Sequence, residues 1–221
     1  MFGKRILDIV ISGGLIILTL PIMVLTALLV KLDSSGPSVF RQIRVGANRR
    51  RTKAFNEGGI KAARERRERD LGGRPFTMYK FRSMVQEAEE MLPSLVNLGA
   101  LSEPVYKLDN DPRVTRFGRL LRQSSLDELP QLFNVLKGNM SLVGPRPEAL
   151  RVVELYGETH KRRLQAKPGL TGLQQVTCRG TRLMQKRLKY DLYYIKHRSL
   201  WLDFLILFKT FSVVIRGNGA H

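Results

Sequence analysis

From Ile9 to Val30 the chain runs through 22 consecutive uncharged residues, mostly Ile, Leu and Val. As a helix, that run is long enough to match about 30 Å of hydrocarbon. A secretory signal is the first alternative, because Lys4 and Arg5 supply a basic front. A signal's apolar stretch spans only roughly 7–15 residues, however, and Asp33-Ser34-Ser35-Gly36-Pro37 makes a poor cleavage site. The segment 1–34 is therefore expected to be a membrane anchor. Pro21 sits near the middle of the run, where it removes a backbone hydrogen bond and favours a kink. Lys4 and Arg5 precede the run, and Lys31, Arg41, Arg44 and Arg49 to Arg51 follow it. That symmetry gives no direction under the positive-inside tendency. A crossing helix with a tolerated proline and a re-entrant helix with both ends on one side are equally consistent with these features.

The remainder, residues 35–221, is long enough for one domain with a core of its own. Lys and Arg outnumber Asp and Glu 38 to 19, for a formal net charge of +19. Such an excess calls for an anionic partner: nucleic acid, anionic lipid headgroups or phosphorylated substrates. The single cysteine, Cys178, excludes an intrachain disulfide and fits a small buried side chain. The three histidines (His160, His197 and His221) are widely spaced and suggest no metal cluster.

Val39-Phe40-Arg41-Gln42-Ile43-Arg44-Val45 partly alternates and is rich in β-formers, and Pro75 to Phe81 reads the same way. The two are expected to pair as a small hairpin. Between them, residues 46–74 carry ten basic and four acidic side chains. Within that insertion, Ile60 to Leu71 reads as a short charged helix with Lys61–Glu65, Arg64–Glu68 and Arg66–Asp70 at i,i+4 spacing. Further helices are expected over 84–97, 114–122, 125–137 and 147–164. Gly138, Gly144-Pro145 and Lys167-Pro168-Gly169 punctuate between them. Leu200 to Ile215 is strongly apolar but interrupted by Asp203 and Lys209, which suits an amphipathic interfacial helix better than a second span.

Two segments are candidates for chemistry. In Ser125-Leu126-Asp127-Glu128, spacing alone favours a capping box, with Glu128 reaching back to the Ser125 backbone. The competing reading is catalytic: an ionised carboxylate beside free N–H groups could serve as nucleophile or Mg²⁺ ligand. Arg122 just upstream could grip phosphate oxygens through its guanidinium fork. In Gly144-Pro145-Arg146-Pro147, two prolines hold Arg146 in a stiff extended segment. A plain turn is the simpler account there, and presentation of Arg146 to a diphosphate is the alternative. Lys80, Arg82 and Arg113 are weaker basic candidates. There is no Walker loop, dinucleotide fingerprint or zinc spacing.

Taken together, the segments resemble the bacterial sugar transferases, the monotopic polyprenyl-phosphate phosphoglycosyl transferases. The matching pieces run in order along nearly the whole chain. They are Lys4-Arg5-Ile6-Leu7-Asp8, Gly36-Pro37 with Phe40-Arg41-Gln42, Tyr79-Lys80-Phe81-Arg82-Ser83-Met84 and Leu108 to Arg113. Ser125 to Leu132, Asn134 to Gly138, Ser141 to Pro147, Lys167 to Gly172 and Asp191 to Tyr194 follow. The resemblance implies that Asp127 is a nucleophile attacking the β-phosphate of a UDP-sugar, with UMP leaving and a phosphosugar–aspartyl intermediate remaining. Polyprenyl phosphate would then take the phosphosugar, with Glu128 assisting and Mg²⁺ near Asp127 neutralising the diphosphate. Arg122 is implied to contact phosphate and Pro145, Arg146 and Pro147 to bind the nucleotide, with Lys80 and Arg82 as further substrate-binding residues. The anchor would be re-entrant. Three departures stand out: Leu20-Pro21 where a Ser-Pro pair is common, the long 46–74 insertion, and Cys178 in place of a common glycine.

The expectation is thus a mixed α/β fold, largely helical, with a small β-hairpin on a re-entrant N-terminal helix and amphipathic interfacial helices. The expected location is the bacterial inner (cytoplasmic) membrane, with the site on the cytoplasmic face. Its expected role is to initiate a surface glycan. The expected partners are a UDP-sugar, polyprenyl phosphate and anionic membrane lipids, while homo-oligomerisation stays open. A membrane-tethered nucleic-acid-binding protein would suit the charge. That reading leaves Asp127-Glu128 and Gly144 to Pro147 without a purpose, so no nucleic acid partner is expected. A non-catalytic scaffold for glycan assembly is the other alternative.

Overall fold

The apolar run folds as helix α1, Phe2–Asp33, in the computed structural model, which describes residues 2–47, 72–96, 108, 110–178, 181 and 183–215. The helix keeps its geometry through Pro21. Thr19 and Ser12 hydroxyls donate to the carbonyls of Leu15 and Asp8, so neither reaches Ile17, whose carbonyl lacks its usual donor because of Pro21. Asp8, Ser12, Met23, Thr26 and Val30 are buried, at spacings of three, four and eleven, each close to whole helical turns, which keep one helix face on the protein. The opposite face, including Ile17, Leu18, Val24, Leu25 and Leu28, is exposed. By length and hydropathy α1 could cross a membrane.

Both ends of α1 are tied to the same domain. Near its start, Lys4 Nζ meets Asp203 Oδ2 at 2.5 Å and the Val143 carbonyl at 3.1 Å. Arg5 donates to the carbonyls of Val135 and Leu136, each at 2.6 Å, and Asp8 Oδ1 accepts from Ser141 Oγ and Leu142 N, each at 2.9 Å. Lys4 and Arg5 are thus engaged by protein. At the far end, Arg82 Nη2 donates to the carbonyls of Val30 and Ser34 at 3.2 and 2.6 Å. The Val30 carbonyl also accepts from Ser34 N at 3.3 Å, and Ser34 lies just past the helix end, so Arg82 ties down the last turn and the chain leaving it. Met23 and Val30 pack with Phe81 and Leu121.

The hairpin forms as expected: β1 (Val39–Gly46) pairs antiparallel with β2 (Arg74–Phe81) from Val39↔Phe81 to Gly46↔Arg74. Residues 48–71 between them, with the charged helix expected over Ile60 to Leu71, lie outside the described residues. The expected helix over 84–97 is reduced to a 3₁₀ turn at Gln86–Ala88 and α2 at Leu92–Leu95. Helix α3 (Arg116–Ser124) is capped by Thr115, whose side chain accepts from Gly118 N.

The single helix expected over 125–137 is two pieces, a 3₁₀ turn at Leu126–Glu128 and α4 at Gln131–Leu136. The reason is Ser125, which ends α3 in the left-handed region at φ 59°. A residue so placed closes the preceding helix and cannot open the next as an N-cap. The span 147–164 likewise divides into β4 (Glu148–Ala149), α5 (Leu150–Val153), α6 (Glu158–Lys161) and a 3₁₀ turn at Arg162–Gln165.

Strand β4 extends the hairpin sheet through Val45↔Glu148. A separate parallel pair joins β3 (Ser141–Val143) to β5 (Gly169–Thr171). Helices α7 (Leu173–Thr177), α8 (Met184–His197) and α9 (Leu200–Ile215) complete the domain. One core cluster joins Phe76, Met78, Leu132, Met140, Leu142, Tyr194 and Ile206, with Ile11 and Ile16 of α1 packed against it. In α9, Asp203 and Ile206 turn inward while Trp201, Phe204, Phe208 and Phe211 are exposed. That leaves an aromatic, apolar face exposed on the same domain as the anchor. The fold is mixed α/β and largely helical, as expected.

Candidate active site

The 3₁₀ turn carrying Asp127 and Glu128 is pinned from below. Leu126 and Leu129 on either side of the pair pack against the apolar cluster of Met23, Val30, Phe81 and Leu121. With both flanking side chains committed to the interior, the two carboxylates project on the other side of the turn. No side-chain cap bond forms at Ser125, and Glu128 faces across to other elements, so the capping-box reading does not hold.

Strand β2 brings Lys80 to the pair. Lys80 Nζ lies 2.8 Å from Glu128 Oε1 and 3.6 Å from Asp127 Oδ2. The strand is locked to α4 by the Asn134 amide, which accepts from Tyr79 N at 3.0 Å and donates to the Thr77 carbonyl at 2.7 Å. Arg146 Nη2 approaches Glu128 Oε1 at 3.3 Å from the opposite side. Its segment is held against β5 by close backbone approach. Gly144 N donates to the Thr171 carbonyl and Gly169 N to the Pro145 carbonyl, both at 2.9 Å. A Cβ on Gly144 would sit 2.2 Å from the Lys167 carbonyl oxygen, so no other residue fits there. Arg122 reaches the site's edge from α3, with Nε donating to Ser83 Oγ at 2.9 Å. Gly118 permits this, since a Cβ on it would lie 2.2 Å from the Ser83 carbonyl oxygen.

The electrostatics separate the two acids. Burial pushes the Asp127 carboxyl above its usual range; Lys80 pulls against this, the neighbouring Glu128 charge adds to it, and Arg122 and Arg146 oppose it. Burial also works against an ionised Glu128, but Lys80 and Arg146 outweigh it and hold that pKa down at about 2. Glu128 is therefore a fixed anion gathering two cations. Asp127 is the more weakly compensated carboxylate, in a drier place.

Of the residues singled out from sequence, Asp127, Glu128, Lys80, Arg122 and Arg146 come together here. The Pro147 carbonyl accepts from Arg44 at 3.5 Å. Arg82 instead binds the end of α1, and Arg113 pairs with Asp111 at 2.6 Å. Sequence reasoning missed Arg44, Gln131 and Gln175, which line the same cavity as Lys80, Glu128 and Arg146. The signal for Arg44 was its place in β1, two residues past Gln42. Gln175 carried none.

Among the described residues no group of three or more His, Cys, Asp or Glu is placed to hold a metal ion. A pair of carboxylates, one already bonded to two cations, is not a complete protein cage. It fits an ion that binds one carboxylate together with substrate phosphate oxygens and water, as Mg²⁺ does. Asp127 is the residue in position for that.

Comparison with known proteins gives a consistent result. A sequence profile described as bacterial sugar transferase matches residues 1–217. The undecaprenyl-phosphate galactose phosphotransferase of Salmonella typhimurium is 41% identical over 224 residues, covering 100% of this chain and 42% of that protein. The UDP-glucose:undecaprenyl-phosphate glucose-1-phosphate transferase of Caulobacter vibrioides is 39% identical, covering 99% of this chain and 72% of its own length. The exopolysaccharide production protein ExoY of Rhizobium meliloti is 34% identical over 99% of this chain and 88% of its own length. The chain thus spans less than half the length of the first of these relatives.

Proposed function

Because the chain belongs to the bacterial sugar transferase family, we propose that it moves a phosphosugar from a UDP-sugar to polyprenyl (undecaprenyl) phosphate and releases UMP, the initiating step of a surface glycan. The observation that carries this reading is the buried Asp127 carboxyl on its pinned turn, flanked by Lys80, Arg122 and Arg146. The reaction runs in two displacements. An Asp127 carboxylate oxygen attacks the sugar-bearing phosphorus, the bond to UMP breaks, and UMP leaves with the electron pair. An oxygen of polyprenyl phosphate then attacks the same phosphorus. The aspartyl–phosphorus bond breaks, giving polyprenyl-diphosphosugar and restoring the carboxylate.

The basic residues act by position and charge, which dominate phosphoryl transfer. Lys80 and Arg122 flank the phosphate under attack, and Arg146 faces the nucleotide side. Glu128 holds Lys80 and Arg146 ready. As phosphate draws those cations away, Glu128 becomes more basic and can orient the incoming lipid phosphate. Asp127 would hold Mg²⁺ together with phosphate oxygens, and that ion when bound supplies charge neutralisation. The test omits the lipid acceptor: a stoichiometric burst of UMP with sugar phosphate retained on the protein is expected. If UMP forms only when undecaprenyl phosphate is added, the covalent route is wrong.

The membrane placement follows from the anchor. A straight 32-residue helix is about 48 Å long, yet residues near both ends bond to one domain. We therefore read α1 as lying in the cytoplasmic leaflet with both ends on the cytoplasmic side, its exposed apolar face in lipid beside the aromatic face of α9. Phe2 is largely exposed. A cysteine there, in a Cys178→Ser background, should resist an impermeant thiol reagent in intact cells and react after permeabilisation. Labelling in intact cells would mean a crossing helix.

A further inference from the structure

Arg44 has no part in the two displacements at phosphorus. It rises from β1 into the cavity shared by Lys80, Glu128 and Arg146. Its Nε and Nη2 donate to Gln42 Oε1 at 3.1 and 2.6 Å, and Nη1 to the Pro147 carbonyl at 3.5 Å. Both acceptors are neutral, and among the described residues no carboxylate lies within ion-pair distance of it. A half-buried guanidinium next to another guanidinium, with Glu148 and Glu128 acting on it only beyond contact, is unfavourable. Burial, and after it the charge of Arg146, pull its pKa down to about 10. The contact to Pro147 alone would not require a cation, since an amide could make it.

A charge count gives the missing partner. Arg44, Lys80, Arg122 and Arg146 supply four positive charges, against two from Asp127 and Glu128. The local excess of positive charge suits a phosphate anion. The contacts also order the row. Lys80 reaches both carboxylates and Arg146 reaches Glu128 alone. Arg44 reaches neither; besides Gln42 it contacts the carbonyl just beyond Arg146. It therefore stands at the end of the row away from the nucleophile.

We propose that Arg44 is a further substrate-binding residue, which holds the phosphate that departs with the nucleoside, and that Gln42 keeps its guanidinium turned toward that phosphate. The proposal rests on a UDP-sugar being the donor and assigns a residue which that reading leaves idle. A guanidinium gripping a phosphate makes charge-assisted bonds, stronger than neutral ones. Their loss should weaken binding by about 10- to 100-fold.

The test is calorimetric titration of the full chain in lipid nanodiscs with UMP, UDP-galactose and uridine, for wild type, Arg44→Gln and Arg44→Lys. Arg44→Gln keeps a polar side chain at a half-buried position and should fold, as its unfolding temperature will report. UMP and UDP-galactose should weaken together by that factor, uridine should be unaffected, and Arg44→Lys should fall between. Gln42→Ala should give a smaller loss in the same direction. Wild-type UMP affinity in Arg44→Gln would overturn the proposal while leaving the donor reading intact. A loss for UDP-galactose but not UMP would also overturn it, because the phosphate held would then be the sugar's. If the wild-type protein binds neither ligand, the donor reading falls and this assignment with it.

Discussion

Two charged clusters lie a few residues apart and are built on opposite principles. Behind the Pro145 to Pro147 segment, Arg163 Nη2 pairs with Asp191 at 2.6 Å and Nη1 with Glu148 at 3.4 Å, while Arg187 reaches Glu148 at 2.6 Å. Tyr156 closes the group through its hydroxyl, which accepts from Arg163. Two cations face two anions, and none of the four charged side chains is more than 8% exposed. In front, the carboxylates meet a surplus of cations, and Arg146 is 39% exposed. Charges that are balanced and sealed hold a shape. Charges that are unbalanced and reachable await an anion. Glu148 belongs to the first cluster and Arg146, two residues earlier, to the second, so the sealed group fixes the backbone from which the open one is presented.

That contrast can be broken from either side. The largest effect is expected for Asp127→Asn, which removes the carboxylate proposed to attack phosphorus. Turnover should fall by roughly 10³-fold or more, with unfolding temperature nearly unchanged. A well-folded Asp127→Asn protein with substantial turnover would remove the reason for treating the front cluster as chemical. Next comes Arg163→Met, which strands Asp191 in the interior and leaves Glu148 to Arg187 alone. Removing one partner of a buried pair costs about 3–5 kcal/mol, to be read from denaturant unfolding. Unchanged stability would mean that the rear cluster is no scaffold.

The smallest effect is a shift in pH dependence. Asp127 must be ionised to attack, so kcat/KM should decline as pH falls through its pKa, which burial has raised. Lys80 is the strongest influence pulling that pKa down. Lys80→Met should therefore move the acid limb of the residual activity to higher pH, and an unmoved limb would mean that Lys80 does not act on Asp127.

The two clusters were also unequally legible. The hairpin could be read because β1 and β2 alternate, and the anchor because 22 uncharged, mostly apolar residues in a row match the depth of a bilayer's hydrocarbon. Asp127 and Glu128 could be picked out, but their spacing favoured a cap. Only the resemblance pointed to chemistry, and the left-handed Ser125 that rules the cap out carries no strong sequence signal. The rear cluster was invisible, since Glu148, Arg163 and the Arg187–Asp191 turn of α8 lie far apart along the chain and converge only in the fold. The β3–β5 pair was missed because β3 is buried throughout, and three residues without alternation give no period to detect.

The grip of Arg82 on the end of α1 doubles as a ruler. Arg82 stands only two residues after Lys80, a step of about 6.6 Å along an extended chain. In the proposed orientation, α1 leaves hydrocarbon near Val30 to Ser34, where that grip is made. Each headgroup layer is roughly 5–8 Å deep. On the proposed reading, the strand that carries the site's lysine would then start close to the oily boundary, near the level at which a polyprenyl chain presents its phosphate, and the lipid would not need to be lifted out to be used.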